Sequence, residues 1–145
     1  MGANNTQEDF KPRILIYDIE TSPIISYNWG IWEQNAIEVI EDWQILCFAY
    51  KWLDEKKTHI VSQDEFKGFK PGVNDDTRVV QKLRELFDEA DVVVAHNGDS
   101  FDQKKSQARM LVRGLEPPSP YRQIDTKKVA KKYAKFSSNK LASLL

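Results

Sequence analysis

The stretch Arg13-Ile14-Leu15-Ile16-Tyr17-Asp18-Ile19-Glu20-Thr21 decides the fold of this 145-residue chain. Its first seven residues are apolar at nearly every position and rich in β-branched side chains, which predicts a central strand covered on both faces. The apolar pattern gives way to two acids, Asp18 and Glu20. Alternation along a strand places them on one face, with their backbones roughly 6.7 Å apart. We therefore expect a buried strand that carries two carboxylates near its end.

Two carboxylates on one face of a buried strand repel each other, and burying them costs free energy unless a cation compensates. Hard oxygen ligands at this spacing suit Mg²⁺ or Mn²⁺. A simpler interpretation is that the strand ends at Asp18 and that the acids are solvated or cap a turn beside Thr21 and Pro23. The pair by itself leaves both interpretations open.

The chain beyond this strand alternates strand and helix patterns. Further strands are predicted over residues 24–31 and 45–53, with a short edge strand over 58–61. N-cap candidates at 74–77 precede an amphipathic helix whose apolar face comprises Val79, Leu83, Leu86, Phe87 and Ala90. A buried strand over 92–95 leads to a second helix from about Ser100, with Phe101, Ala108, Leu111 and Leu115 near one face.

A third helix is expected after residues 124–126, with Val129, Tyr133 and Phe136 on one side and lysines around the other. Residues 140–145 read as the opening of another apolar helix, so the domain is expected to be incomplete at its C-terminus. The fold class is α/β: a mixed sheet, an antiparallel meander and then crossover strands, flanked by helices. We expect residues 1–12 to form a flexible arm and residues 13–145 to form one domain.

Composition excludes several classes of protein. With 41% hydrophobic and 11% aromatic residues, the chain is neither disordered nor low-complexity. One cysteine, Cys47, and the lack of a leader segment indicate a reducing, intracellular location, and no apolar run is long enough for a membrane helix. The net charge of −1 divides into −10 over residues 1–102 and +9 over residues 103–145. A polyanion that meets the basic end and a solvated helical face explain this division equally well.

A second group of polar residues follows the predicted strand 92–95. It reads His96-Asn97-Gly98-Asp99-Ser100-Phe101-Asp102, at a junction of strand and helix. Ligand sites in open α/β sheets form beyond strand ends, so Asp102 would join Asp18 and Glu20 if the two strands are neighbours. Helix capping and the helix dipole would also explain these residues locally.

Taken together, D-I-E-T at residues 18–21 and H-N-x-x-x-F-D at 96–102 resemble the first two motifs of the DnaQ-like (DEDD) 3′–5′ exonucleases. The resemblance covers residues 13–145 and is greatest to bacteriophage-encoded versions. Proofreading domains of family B DNA polymerases are more distantly similar. It implies a ribonuclease H-like fold and hydrolysis of phosphodiester bonds at the 3′ end of single-stranded DNA or RNA. The expected location is the cytoplasm of a bacterial or phage-infected cell.

The resemblance also implies roles for individual residues. Asp18, Glu20 and Asp102 match three of the four acids that hold two Mg²⁺ or Mn²⁺ ions, which activate water and stabilise the leaving oxygen. Thr21 matches the residue whose backbone meets the terminal nucleotide. Asn97 and Phe101 match the ordering and packing positions of the second motif.

The third motif of the family, Tyr or His followed four residues later by Asp on a helix, has no good match. Tyr121 and Asp125 have the spacing, but the prolines before them and the strand end at 124–126 argue against a shared helical face. The chain is then expected to be weak or inactive alone. A fragment, a split enzyme completed by a partner chain and a catalytically dead nucleic-acid-binding module remain open.

The aromatic residues after the first motif are candidates for contact with bases. Tyr27, Trp29 and Trp32 follow Thr21 closely, and aromatic rings stack on unpaired bases. We expect at least one of the three to be exposed near the site.

Overall fold

A computed structural model of the chain describes residues 10–32 and 35–144. The first nine residues of the predicted arm lie outside this part. The described elements are β1 (Ile14–Thr21), β2 (Ile25–Tyr27), β3 (Glu38–Glu41), β4 (Ile45–Trp52), β5 (His59–Ser62), α1 (Thr77–Glu89), β6 (Val92–Ala95), α2 (Asp102–Val112), β7 (Arg122–Asp125), α3 (Thr126–Tyr133) and α4 (Leu141–Leu144), with a 3₁₀ turn at Gln63–Glu65. No helix among the described residues is long and apolar enough to cross a membrane.

Five strands form one mixed sheet in the order β5-β4-β1-β6-β7. Strand β1 pairs antiparallel with β4 and parallel with β6. Strands β4 and β5 are antiparallel, whereas β6 and β7 are parallel. Helix α1 lies in the connection from β5 to β6, and α2 lies in the connection from β6 to β7. The predicted α/β class, with a meander followed by crossover strands, is confirmed.

The core lies on one face of the sheet. Leu15, Tyr17 and Ile19 of β1 are buried there with Leu83 and Phe87 of α1, and the rings of Tyr17 and Phe87 meet edge-on at 5.0 Å. The predicted covering of both faces is wrong for β1, because Ile16, Asp18 and Glu20 on the opposite face are exposed. The helices contribute their buried residues to the core on the Leu15 face and leave the other face open near the acids.

The predicted strand over 24–31 is much shorter in the structure. Strand β2 spans Ile25–Tyr27 and pairs with β3, which lies in the stretch that the sequence left unassigned. These two strands form a separate two-stranded sheet, here named the β2–β3 hairpin. Its apolar residues face solvent, so a hydrophobic pattern there did not mark a core strand.

Helix α1 has the predicted apolar face buried, but α2 departs from its prediction. Leu111, expected on the apolar face of α2, is 73% exposed. The buried residues of α2 are largely polar: Asp102, Gln103, Ser106, Arg109 and Met110. Helix α3 has no buried residue and ends at Tyr133, which leaves Phe136 beyond it. The predicted helix over 140–145 is present as α4, and Leu145 lies outside the described residues.

A buried ion-pair network explains the polar interior of α2. The Asp76 carboxylate precedes α1 and accepts hydrogen bonds from Arg109 Nε and Nη2, each at 2.8 Å, and from Arg113 Nε at 2.6 Å. It also accepts from the backbone N–H of Ile45, at 2.9 Å. Burial raises the pKa of Asp76, but the bonds from Arg109, Ile45 and Arg113 lower it more, so the pKa lies below its ordinary value. The network joins α1, α2 and β4.

Candidate functional site

The end of β1 presents Asp18 and Glu20 on one face, as the sequence predicts, and this face is exposed rather than covered. They alternate with Tyr17 and Ile19, which point into the core. Asp18 lies opposite Ala49 of β4, and the pairing register shifts just after Glu20. The strand continues to Thr21, so the interpretation that the strand ends at Asp18 is wrong.

Asp102 comes to the same strand from α2, where it is the first residue. Its side chain is 2% exposed, and its Oδ1 accepts a hydrogen bond of 3.1 Å from the backbone N–H of Ile19. Ile19 lies between Asp18 and Glu20, so this bond fixes the third predicted acid against the segment that carries the first two. The parallel pairing of β1 with β6 makes the approach possible, because the loop after β6 then opens beside the end of β1.

The electrostatics of this region reflect crowded carboxylates. Burial raises the pKa of Asp102, and the neighbouring charges of Asp18 and Asp125 raise it further, against the lowering by the Ile19 N–H. Burial also raises the pKa of Cys47, which faces the additional charge of Glu20. A cation would relieve the repulsion at Asp102.

The ligand types at this site suit Mg²⁺ or Mn²⁺, but the side chains as positioned do not form a binding site for them. Carboxylate oxygens are the ligands that these ions prefer. Among residues 10–32 and 35–144, however, no three His, Cys, Asp or Glu side chains are grouped so that they could hold a metal ion. Asp102 is held in place by its hydrogen bond, whereas Asp18 and Glu20 are exposed and would have to turn toward it.

The loop between β6 and α2 has a tightly specified backbone. Asn97 adopts a left-handed conformation with φ of +66°, and its carbonyl accepts from the N–H groups of Ser100 and Phe101. A Cβ added at Gly98 would lie 2.7 Å from the Cβ of Ala95, closer than real Cβ contacts come. The Asn97 side chain accepts a 3.1 Å hydrogen bond from Lys127 Nζ of α3. The predicted site residue Asn97 therefore links the loop to the basic helix.

Asp125, at the end of β7, holds both α3 and this loop. Its Oδ1 accepts from the backbone N–H of Lys127 at 2.9 Å and of Lys128 at 3.3 Å, which caps α3. The same carboxylate accepts from the N–H of Asn97 at 2.9 Å and of Asp99 at 3.3 Å. Sequence reasoning missed this second role, because the partners are more than 25 residues away and only the cap has a local signal.

Thr21 and Phe101 flank the acids. Thr21 ends β1 and is half-buried, and the following Ser22 is tied to Gln44 by a 2.9 Å backbone bond and a 3.0 Å bond to its Oγ. Phe101 immediately precedes α2 and is partly exposed, with Lys105 Nζ 5.2 Å from its ring centroid. Lys105 Nζ also lies 3.7 Å from the ring centroid of Trp43.

Tyr121 and Asp125 do not form a third motif on a shared helix. Tyr121 packs on Phe87 with ring centroids 5.3 Å apart, and its hydroxyl accepts a hydrogen bond from Gln103. Asp125 closes a strand and caps α3. Four residues of extended chain separate them by roughly 13 Å, so the expectation that they share no helical face is confirmed.

A concave pocket lies over the open face of the sheet, beside Asp18. Its volume is about 410 Å³, within the usual range of ligand sites. The lining includes Asp18, Tyr50, His96, Thr126 and Leu141. His96 is held by Thr126 Oγ1 and by the backbone carbonyl of Asn139, each at 2.9 Å, so both of its ring nitrogens are hydrogen-bonded. Asp18 therefore borders a cavity of ligand size, whereas Glu20 and Asp102 do not line it.

Comparison with known proteins relates the chain to DNA polymerases. None of the known protein-family profiles matches it. It is 29% identical over 142 residues to a PolC-type DNA polymerase III from Ureaplasma parvum serovar 3, in an alignment that covers 90% of this chain. The alignment covers 9% of that polymerase, so the chain spans about a tenth of its length.

The fold matches part of the family B DNA polymerase from the hyperthermophilic archaeon Pyrobaculum calidifontis. The TM-score is 0.57 at 17% sequence identity, over 85% of this chain and 16% of that chain. The chain therefore shares its fold with a segment of a DNA polymerase and is similar in sequence to a segment of another.

Proposed function

We propose that the chain is a DNA-polymerase-related 3′–5′ exonuclease domain of the DnaQ-like family, with a ribonuclease H-like fold. It hydrolyses phosphodiester bonds at the 3′ end of single-stranded nucleic acid. The observation that carries the proposal is the hydrogen bond from the Ile19 N–H to Asp102, because Ile19 is the residue between the two acids of the first motif. The similarity to a PolC-type DNA polymerase III and the fold shared with a family B DNA polymerase support a task on DNA.

Asp18, Glu20 and Asp102 would hold the metal ions, Mg²⁺ or Mn²⁺. When bound, two such ions supply a Lewis acid for the phosphate and lower the pKa of the attacking water. The chain contributes one fixed carboxylate, Asp102, and two that can turn, Asp18 and Glu20. Burial and the nearby charge of Asp18 raise the pKa of Asp102, and a bound cation would offset both effects.

Substrate would lie at the edge where β1 ends. The backbone of Thr21 is suited to the terminal nucleotide, since it closes β1 directly after Glu20. Phe101 offers a partly exposed ring beside Asp102. Asn97 orders the loop and holds Lys127, whose ammonium group would face a phosphate.

A second candidate function is a nucleic-acid-binding module, or one half of a split exonuclease whose partner chain supplies the remaining acid and base. Two observations favour it. In the part of the chain that the structure describes, no three potential metal ligands are grouped together. The Tyr121 ring packs on Phe87 and its hydroxyl accepts a hydrogen bond from Gln103, rather than facing the acids as a general base would.

Degradation of a 5′-labelled single-stranded DNA in Mn²⁺ separates these candidates. The exonuclease predicts a ladder of shortened products, and replacing Asp18 or Asp102 by Asn lowers its rate by on the order of 10²-fold or more. Glu85→Gln is the matched control, since it removes an exposed carboxylate on α1 that is paired with Lys82. A 3′-phosphorylated oligonucleotide and a circular single strand distinguish end-dependent from internal cleavage.

When no product forms, oligonucleotide binding and thermal stability of the same protein distinguish the binding module from the split enzyme. Oligonucleotide binding without degradation, and without thermal stabilisation by Mn²⁺, supports the binding module. Stabilisation by Mn²⁺ that Asp18→Asn abolishes, still without products, supports the split enzyme. Degradation that survives both Asn variants contradicts the proposed site.

A further inference from the structure

The β2–β3 hairpin is an exposed apolar surface that the proposed site does not use. Trp29 is 83% exposed and Trp32 is 90% exposed. Glu38, Val39 and Ile40 follow one another in β3 and are all exposed, so side chains on both sides of this strand face solvent. Its exposed large residues include Tyr27, Trp29, Ile31, Trp32, Val39 and Ile40. Exposed patches of this kind mark interaction sites, and a two-stranded hairpin without a packing partner is marginally stable in water.

The charge of the hairpin restricts what can cover it. Residues 24–42 carry four acids, Glu33, Glu38, Glu41 and Asp42, and contain no lysine or arginine. A phosphate group laid on this surface would be repelled. Rings without charge, such as nucleobases, would instead stack on the exposed aromatic side chains.

The complementary charge lies on α3, at the same edge of the sheet. Strands β1, β6 and β7 are mutually parallel, so the hairpin that follows β1 and the helix that follows β7 leave from one edge. Residues 126–140 carry six lysines and no acid: Lys127, Lys128, Lys131, Lys132, Lys135 and Lys140. Asp18 lies near the end of β1 and Asp102 at the start of α2, which follows β6, so both acids are at the edge from which the hairpin and α3 leave.

The base of the hairpin is anchored to the site. Ser22 follows Thr21 directly, and its two hydrogen bonds to Gln44 close the segment that contains the hairpin. A strand whose 3′ end lies at the acids would therefore pass between the exposed aromatic rings of the hairpin and the lysines of α3. The hairpin and α3 would orient the nucleic-acid strand, with its bases toward the hairpin and its phosphates toward α3.

We propose that the β2–β3 hairpin binds unpaired bases of the single strand whose 3′ end lies at Asp18 and Asp102. This assignment rests on the proposed function and names the subsite that precedes its reaction centre. Trp29 and Trp32 are the stacking residues. The lysines of α3 bind the backbone of the same strand.

The test measures binding of a 5′-fluorescein-labelled dT₁₂ by anisotropy, in EDTA so that hydrolysis does not intervene. The second probe is an abasic oligonucleotide of the same length, which keeps the phosphates and lacks the bases. We expect Trp29→Ser and Trp32→Ser each to weaken dT₁₂ binding roughly 5- to 150-fold. Their effect on the abasic probe should be small, and the salt dependence of binding should not change.

Three control variants accompany the measurement. Phe10→Ser removes an aromatic ring that is 80% exposed outside the hairpin and should leave both probes unaffected. Trp29→Tyr keeps a stacking ring and should retain most of the affinity. Lys131→Gln should weaken both probes and reduce the salt dependence. Circular dichroism and thermal melting establish that each variant is folded, as the exposure of these side chains leads us to expect.

Several outcomes would overturn the inference. The first is that the wild type and both serine variants bind dT₁₂ with equal affinity. The second is that each serine variant loses the same affinity for dT₁₂ and for the abasic probe. The third is that the wild type does not bind dT₁₂. A change in sedimenting mass caused by Trp29→Ser, with dT₁₂ affinity unchanged, would instead assign the hairpin to a protein interface. The readout needs no hydrolysis, so a chain that binds bases at the hairpin and never degrades DNA refutes the proposed function alone.

Discussion

At the scale of single residues, Asp102 is held where its charge is disfavoured. Its carboxyl is buried beside Asp18, and its pKa lies above the ordinary value for that reason. In the pH range just above the ordinary pKa, the folded chain binds more protons than the unfolded chain. The slope of unfolding free energy against pH is therefore negative, and this stability contribution is lost as pH rises through the folded pKa. A carboxyl group held where its charged form is disfavoured is typical of a ligand-binding site.

Replacing Asp102 with Asn removes the charge and keeps an oxygen that can accept the Ile19 N–H. We expect the unfolding free energy of Asp102→Asn at pH 7 in EDTA to equal or exceed that of the wild type. The fall in stability above the ordinary Asp pKa should be smaller in the variant. Urea unfolding at pH 4, 5, 6 and 7 measures both quantities, and a clear loss of stability at pH 7 would contradict the explanation.

Gly98 is a residue whose missing side chain has a steric reason. An added Cβ would lie 2.7 Å from the Cβ of Ala95, so the loop that leads to Asp102 must shift. We expect Gly98→Ala to cost about 1–3 kcal/mol of unfolding free energy. Gly114→Ala is the comparison: its φ is +65° but it meets no neighbour, and it should cost about 1 kcal/mol. Chemical unfolding ranks the two, and the reverse order would refute the steric account.

At the scale of elements, two carboxylates position helices by accepting several hydrogen bonds at once. Asp125 joins α3 to the loop between β6 and α2, through N–H groups of Asn97, Asp99, Lys127 and Lys128. Asp76 joins the start of α1 to the arginines of α2. The first arrangement sets the loop that bears the site, and the second fixes the helix that begins with Asp102.

Removing the Asp76 charge leaves Arg109 buried without its partner. We expect Asp76→Asn to lower the unfolding free energy by about 3–5 kcal/mol, the usual cost of breaking a buried pair from one side. The Asp76 charge stabilises the fold above the pKa of the unfolded state, and this contribution is lost as pH falls through the lowered pKa of the folded state. The difference in unfolding free energy between wild type and Asp76→Asn therefore becomes smaller in acid.

The matched control is Glu89→Gln, which breaks the half-exposed pair with Arg13 and should cost less than about 1 kcal/mol. Thermal or urea unfolding of both variants at neutral pH and at pH 3 checks the prediction. Equal losses in the two variants would show that the Asp76 network does not have the assigned strength.

At the scale of the whole molecule, charge is separated along the chain, with +9 over residues 103–145 and −10 before them. The open sheet face, the acids of β1 and the lysines of α3 are brought together by the strand order. An anionic strand would approach the basic part and be repelled elsewhere, which favours one orientation of binding.

Oligonucleotide affinity should therefore depend on salt through α3. Changing Lys128 and Lys132 to Gln should lower the slope of log K against log salt by about 0.7 for each phosphate that is no longer neutralised. Lys56→Gln with Lys57→Gln makes the same change in net charge in the turn from β4 to β5, at the opposite edge from the acids, and should alter the slope little. Anisotropy titrations between low and moderate salt give both slopes, and equal reductions would indicate binding by net charge alone.

Much of the fold could be predicted because its signals are local. The apolar run of β1, the 3–4 spacing in α1 and the β-branched strand β6 all form where the sequence indicates. The apolar face of α2 could not be predicted, since a buried network with Asp76 outweighs its hydrophobic pattern. The exposure of the β2–β3 hairpin could not be predicted either, because an apolar strand pattern does not show whether other elements pack on the strand.

The sequence by itself determined the alternation that puts Asp18 and Glu20 on one face, the strand-to-helix position of Asp102 and the uneven charge. These depend on backbone periodicity and composition, which are properties of neighbouring residues. Only the tertiary structure decided that Asp102 meets Ile19, that Asp125 holds the Asn97 loop and that Tyr121 packs on Phe87. Such contacts join residues tens of positions apart, and strand order and packing, rather than local propensity, bring them together.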